Sequence, residues 1–141
     1  LITSHNSSFF NNEIFISQKD IRNLQLAKGA VSSGLEILLA TACINASDVN
    51  KIFLSGALGH YSNTDNLIDL GFFPEVWRDR IIPAGNTSLA GAVSILLSPE
   101  ARLSADRIAR RIKTIDLTSH PGFQDIFIRF MVLELKRGIN G

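Results

Sequence analysis

Lys51 to Gly59 reads Lys-Ile-Phe-Leu-Ser-Gly-Ala-Leu-Gly, and Arg80 to Ser88 reads Arg-Ile-Ile-Pro-Ala-Gly-Asn-Thr-Ser. Each stretch is a short apolar run that breaks into a glycine turn. Lys51 to Ser55 is almost continuously apolar, which predicts a strand buried on both faces. Arg80 to Pro83 predicts a second short strand. Small-residue helical sequence follows the second turn, from Thr87 to Leu97. Strand, glycine turn, helix is the repeating unit of an α/β fold, and it sets the frame for the rest of the chain.

Upstream, Glu13 to Ser17 predicts a short strand. Ser17-Gln18-Lys19-Asp20 has the form of a capping box, with Ser17 as N-cap. A long helix is expected from Gln18 to Cys43, with Ile21, Leu24, Val31, Leu35, Leu38 and Ala42 on one face. Gly29 and Gly34 each cost that helix about 1 kcal/mol relative to alanine. They are tolerated more easily if something packs close to the backbone.

Between the two strands, Asn63 to Leu70 predicts a short helix stopped by Gly71. Phe72 to Arg80, with Pro74 and Trp77, reads as an irregular excursion. Downstream, Ser98 caps a helix that has Pro99 at its first position and runs to about Ile112. Thr114 to Leu117 is expected as a last strand. Pro121 to Leu135 is expected as a last helix, with Phe123, Phe127, Phe130 and Met131 in a stripe that serves either the core or a partner. The alternation favours three layers with largely parallel central strands. The expected organisation is a polar segment over 1–12, a single α/β lobe over 13–135 and a frayed tail over 136–141.

Composition excludes several classes. In 141 residues, 14 Lys+Arg face 13 Asp+Glu, so no global field attracts nucleic acid or an anionic membrane. The single cysteine, Cys43, can form neither an intrachain disulfide nor a four-cysteine cluster, and its apolar surroundings predict a buried thiol. The lack of disulfides is compatible with a cytoplasmic location. His5, His60 and His120 have no partners at metal-ligand spacing. No apolar run approaches the ~20 residues of a membrane span. The chain opens on Leu1, which suggests a start within a longer protein or a processed end.

In open α/β sheets, ligands bind beyond the carboxyl ends of the strands. Gly56, Ala57 and Gly59 in one turn, and Gly85 and Asn86 in the other, occupy such positions. They could approach the ribose and phosphates of a nucleotide, or serve only as strand-to-helix turns. Lys28 falls on the apolar stripe of the long helix. It could reach toward a nucleotide or snorkel to the edge of the core.

The ordered series Ser17 to Ala30, Ile52 to Gly59, Ile82 to Ala92, Leu97 to Arg102 and Phe123 to Phe127 resembles the reductive activators of corrinoid proteins, also called methyltransferase-activating ATPases. The resemblance covers about Ile14 to Met131. It implies the C-terminal, ribonuclease-H-like lobe of an actin-like ATPase domain, of the kind shared with heat-shock chaperones and sugar kinases. A mixed, mostly parallel central sheet flanked by helices is then expected. It further implies ATP with Mg2+ as ligand, a [2Fe-2S] domain elsewhere in the parent protein, and reduction of a corrinoid protein from Co(II) to Co(I). By the resemblance, Gly56, Ala57 and Gly59 match the adenosine motif, and Gly85 and Asn86 line the neighbouring edge of the cleft. Departures are His60 where Asn is usual, and Leu58 where a larger side chain is common. The sole Asp-x-Gly, Asp69 to Gly71, is followed by Phe72 and is not the phosphate-binding hairpin of such ATPases. Hydrolysis by this lobe without the other is therefore not expected. Two further readings stay open: an interaction or homodimerisation module contacting the corrinoid protein through the Phe123–Met131 helix, and a lobe of another kinase of the superfamily.

Overall fold

A computed structural model of the chain describes residues 15–56, 59 and 62–133. In chain order its elements are α1 (Gln18–Ala42), β1 (Ile52–Ser55), α2 (Thr64–Asp69), β2 (Ile81–Gly85), α3 (Thr87–Leu97), α4 (Pro99–Ala109) and α5 (Phe123–Phe130). Single 3-10 turns at Ala46–Asp48 and Glu75–Trp77 join them. None of the described helices is long and apolar enough to cross a membrane.

The start of α1 is set locally. Asp20 N–H donates to Ser17 Oγ at 3.2 Å, and Ser17 N–H donates to Asp20 Oδ2 at 2.9 Å. Both hydrogen bonds of a capping box are therefore made. Of the two glycines of α1, Gly29 has the expected close neighbour, whereas a Cβ at Gly34 would make only an ordinary contact with Leu117 Cδ1 at 3.4 Å. A Cβ at Gly29 would lie 3.0 Å from Met131 Cγ and 3.2 Å from Phe127 Cε2, so α5 crosses directly over it. The Phe123–Met131 stripe thus packs inward on α1.

The core lies between α1, the α2–β2 connection and one face of the sheet. Leu67, Ile68, Phe72, Phe73 and Trp77 form its buried centre, and Leu24, Val31, Leu35 and Leu39 of α1 pack on it with Ile52, Leu54 and Ile81 of the strands. The segment expected as an irregular excursion is therefore the heart of the lobe. Turn residues hide a core segment when apolar side chains converge without helix or strand periodicity. Trp77 Nε1–H donates to the Ala46 carbonyl at 2.8 Å, which satisfies its polar atom inside the core. Arg78 holds the same segment from outside, bonding Asp65 Oδ1 at 2.8 Å, Asp69 Oδ1 at 2.6 Å and Glu75 Oε1 at 2.7 Å.

β1 and β2 are parallel, with Ile52 opposite Ile81, Phe53 opposite Ile82 and Ser55 opposite Gly85 across a register shift at Leu54/Ser55. Several expectations change. β1 is covered on one face only: Phe53 is 66% exposed. Phe15 and Ile16 are exposed and outside any strand, while Glu13 and Ile14 of the expected first strand lie outside the described residues. Thr114 to Leu117 is not a strand: Asp116 Oδ1 accepts from Thr118 N–H at 3.0 Å and its Oδ2 from Ser119 Oγ at 2.6 Å, folding the segment into a turn. The last helix ends at Phe130 rather than near Leu135. Cys43 is exposed, not buried, because it caps α1 in the left-handed conformation (φ 55°) where the helix leaves the core. Lys28 does not snorkel. It is 6% exposed, and its ammonium donates to the Val132 carbonyl beside Gly71.

Candidate nucleotide cleft

The parallel register brings the two glycine turns to the same edge. Ser55, the last residue of β1, pairs with Gly85, the last of β2. The polypeptide therefore leaves both strands side by side, at the carboxyl end where α/β ligands bind. Gly56 follows with φ 74°, and Gly85 has φ 64°. Both values suit glycine, since a Cβ there clashes with the local backbone. Neither conformation is forced by crowding, because an ideal Cβ at either position meets nothing within 4 Å. The two turns are thus left-handed and open, so backbone can be approached closely from outside.

Gly59 is different. It is buried, and a Cβ on it would stand 2.1 Å from the Leu54 carbonyl oxygen. Only glycine lets the chain return this closely over the end of β1. Gly59 thereby fixes where the Gly56 turn lies. Ala57, Leu58 and His60 lie outside the described residues.

Asn86 is the N-cap of α3, its Oδ1 accepting from Leu89 N–H at 3.0 Å. Its amide side chain is committed to starting the helix, and its backbone stands beside the Gly85 turn. The N–H groups of the first turn of α3 carry the partial positive charge of a helix start. No ionisable side chain occurs among Ser55, Gly56, Gly59, Gly85, Asn86, Thr87 and Ser88. Recognition at this edge would be by backbone and shape. Ser55 was not singled out by spacing; it is exposed and in register with Gly85.

Lys28 sits apart from these turns in its bonding, joined to Val132 and packed on Gly71, with its Cε 3.1 Å from an ideal Cβ there. An apolar hollow of about 360 Å3, lined by Leu35, Leu39, Phe72, Phe73 and Phe130 among others, is likewise built from α1, the core segment and α5, not from the glycine turns. Among the described residues no group of three or more His, Cys, Asp or Glu side chains is placed to hold a metal ion. The carboxyls of Asp20, Glu100 and Asp116 are held below their usual range by hydroxyl groups of Ser17, Ser98 and Ser119 respectively, and all three serve caps or turns.

Residues 1–137 match the family described as the C-terminal domain of RACo, the ASKHA domain. The chain belongs to that family. It is 33% identical over 116 residues to the corrinoid activation enzyme RamQ of Eubacterium limosum, covering 82% of this chain and 20% of RamQ. It is 28% identical over 128 residues to the [Co(II) methylated amine-specific corrinoid protein] reductase of Methanosarcina barkeri, covering 91% of this chain and 23% of that protein. In structure it is similar to a reductive activator for corrinoid, iron-sulfur protein, with a TM-score of 0.77 and 30% identity over 84% of this chain and 19% of the other. The fold is therefore that of an actin-like ASKHA domain, here as a small parallel sheet flanked by helices. The chain spans about a fifth of the length of these relatives.

Proposed function

We propose that this chain forms the adenosine-binding side of the nucleotide cleft in an ATP-dependent reductive activator of corrinoid proteins. The observation that carries this reading is the pair of open, positive-φ glycines, Gly56 and Gly85, at the carboxyl ends of adjacent in-register parallel strands. Family membership supports it, because the relatives bear the names of corrinoid activators and of a Co(II) corrinoid protein reductase.

In this reading the Gly56 and Gly85 turns contact the nucleoside through backbone, and Gly59 holds the first of them in place. The first turn of α3 offers N–H groups to the nearer phosphate oxygens. ATP, with Mg2+, supplies the free energy for an unfavourable one-electron reduction. The corrinoid cobalt is the substrate, taking one electron to pass from Co(II) to Co(I). That electron comes from a one-electron donor such as a [2Fe-2S] group. Cys43, the sole cysteine, cannot ligate such a cluster, so the donor belongs to another part of a longer activator. Lys28 is assigned to packing, since its ammonium is held by the Val132 carbonyl.

The test is nuclear magnetic resonance titration with ADP. The amide signals of Gly56 and Gly85 should move together and saturably, while that of Gly122, at the start of α5, stays in place. Movement confined to residues around the apolar hollow, such as Phe72 and Phe130, contradicts the assignment.

A further inference from the structure

Residues 102–113 hold five of the chain's 14 Lys+Arg and one of its 13 Asp+Glu. Four of the five cations are arginines, Arg102, Arg107, Arg110 and Arg111. The near balance of charge over the whole chain conceals this, because the other residues are net acidic. Helix geometry sorts the stretch into two sides. Ala101, Ser104 and Ala105 are half-buried, at the i, i+3, i+4 spacing of one face of α4. Arg102, Leu103, Asp106, Arg107 and Arg110 fall on the opposite face, and all five are exposed. Among the described residues, ion pairs are made by Arg78 and Arg129 and by none of these arginines. Arg107 donates to the Ser104 hydroxyl at 3.0 Å. The helix dipole favours cations in a last turn, which suits Arg107 and Arg110. It gives no reason for Arg102, near the start of α4.

The chemistry of this face narrows its partner. Burying unpaired charge is costly, so the face belongs in water rather than in a core. Leu103, 63% exposed, stands between Arg102 and Arg107 on the outward side. An apolar centre with a polar rim is the anatomy of an interface that forms and releases, and arginine is among the residues that carry binding energy there. A guanidinium pairs with a carboxylate through two parallel hydrogen bonds, so an acidic partner fits. A nucleic acid fits less well. Asp106 stands inside the cationic face and opposes a uniformly anionic backbone, and the net acidic remainder of the chain repels a long polyanion. An anionic bilayer also fits less well. A helix lying on a membrane sinks an apolar side into it, and the outward face offers Leu103 as its one large apolar side chain. A folded acidic protein can match the arginines and Asp106 at fixed positions.

An activator that serves many copies of a protein substrate has to release each one, which is the behaviour of such a surface. We propose that the outward face of α4, with Leu103 at its centre and Arg102, Arg107 and Arg110 around it, docks the corrinoid protein through carboxylates on that partner. The proposal rests on the reading of this chain as part of a corrinoid activator, and is independent of which residues bind nucleotide.

The experiment measures, by stopped-flow fluorescence, the association of the protein with a Co(II) corrinoid protein from the same organism. The unaltered protein is compared with Arg107→Glu combined with Arg110→Glu, and with Arg107→Gln combined with Arg110→Gln. At an ionic strength of about 0.01 M, where the screening length is about 30 Å, charge reversal should slow association by at least about tenfold. The glutamine pair should fall between the other two. At about 1 M, where the screening length is about 3 Å, the three rates should converge. ADP titration should be the same for all three, which shows that the fold is kept. Association unchanged by either pair of substitutions overturns the proposal and leaves the activator reading standing. Duplex DNA or phosphatidylglycerol vesicles that bind as tightly as the corrinoid protein, and lose binding on charge reversal, assign the face to phosphate and overturn the proposal. No association of the unaltered protein with the corrinoid protein at either ionic strength overturns the activator reading and the proposal with it.

Discussion

Replacing Gly29 and Gly34 of α1 by alanine, one at a time, sets helix propensity against packing within one helix. Alanine favours a helix interior by about 1 kcal/mol over glycine. At Gly34 the new Cβ would be 3.4 Å from Leu117 Cδ1, an ordinary contact with a side chain that can move. Gly34→Ala should therefore stabilise the lobe by roughly 0.5–1 kcal/mol. At Gly29 the Cβ would be 3.0 Å from Met131 Cγ and 3.2 Å from the backbone carbonyl oxygen of Phe127. A side chain can swing away, but the carbonyl moves only with α5. Overpacking of this kind costs about 1–3 kcal/mol, so it cancels or exceeds the propensity gain. The two variants should differ by about 1–3 kcal/mol, with Gly29→Ala the less stable. Urea unfolding at fixed m-value measures this difference. A Gly29→Ala variant as stable as Gly34→Ala would refute the packing of α5 across α1.

Trp77→Phe removes the N–H that serves the Ala46 carbonyl at 2.8 Å. It should destabilise by roughly 1–3 kcal/mol, measured by the same unfolding. The Asp20 carboxylate accepts from both the N–H and the hydroxyl of Ser17, which lowers its pKa. Since the folded-state value is the lower one, this contribution is complete above the ordinary carboxylate range of about 4 and is lost as pH falls through the folded-state value. Asp20→Asn should flatten the fall in stability below about pH 4 and leave the slope near neutrality unchanged. Arg78→Lys should lower the melting temperature, because an ammonium cannot fork to Asp65, Asp69 and Glu75 together.

What the sequence revealed follows periodicity and punctuation. Ser17 with Asp20, Asn63, Asn86, and Ser98 before Pro99 are local signals, and each starts a helix where expected. The glycine turns were legible because glycine after an apolar run marks the end of a buried strand. Their juxtaposition was not, since the pairing of Ser55 with Gly85 depends on register between strands separated by a long stretch of intervening chain. The core role of Phe72, Phe73 and Trp77 was hidden for a related reason: these residues converge through a 3-10 turn and an arginine clamp, with no repeating period to betray them. Cys43 misled because apolar neighbours in sequence say nothing of a residue that leaves the helix with positive φ. Thr114 to Leu117 misled because strand-forming residues were overruled by the side chain of Asp116.

Isothermal titration with ADP and ATP, comparing the unaltered protein with Gly56→Asn, tests the nucleotide cleft most directly. Asparagine accepts positive φ more readily than other side chains, so at φ 74° it should fill the open space with little loss of fold. Binding by the unaltered protein, even at a Kd of about 1 mM or −4 kcal/mol, with none by an equally stable Gly56→Asn, is the predicted result. Equal binding by both proteins, or binding by neither, would contradict the assignment of the glycine edge to adenosine.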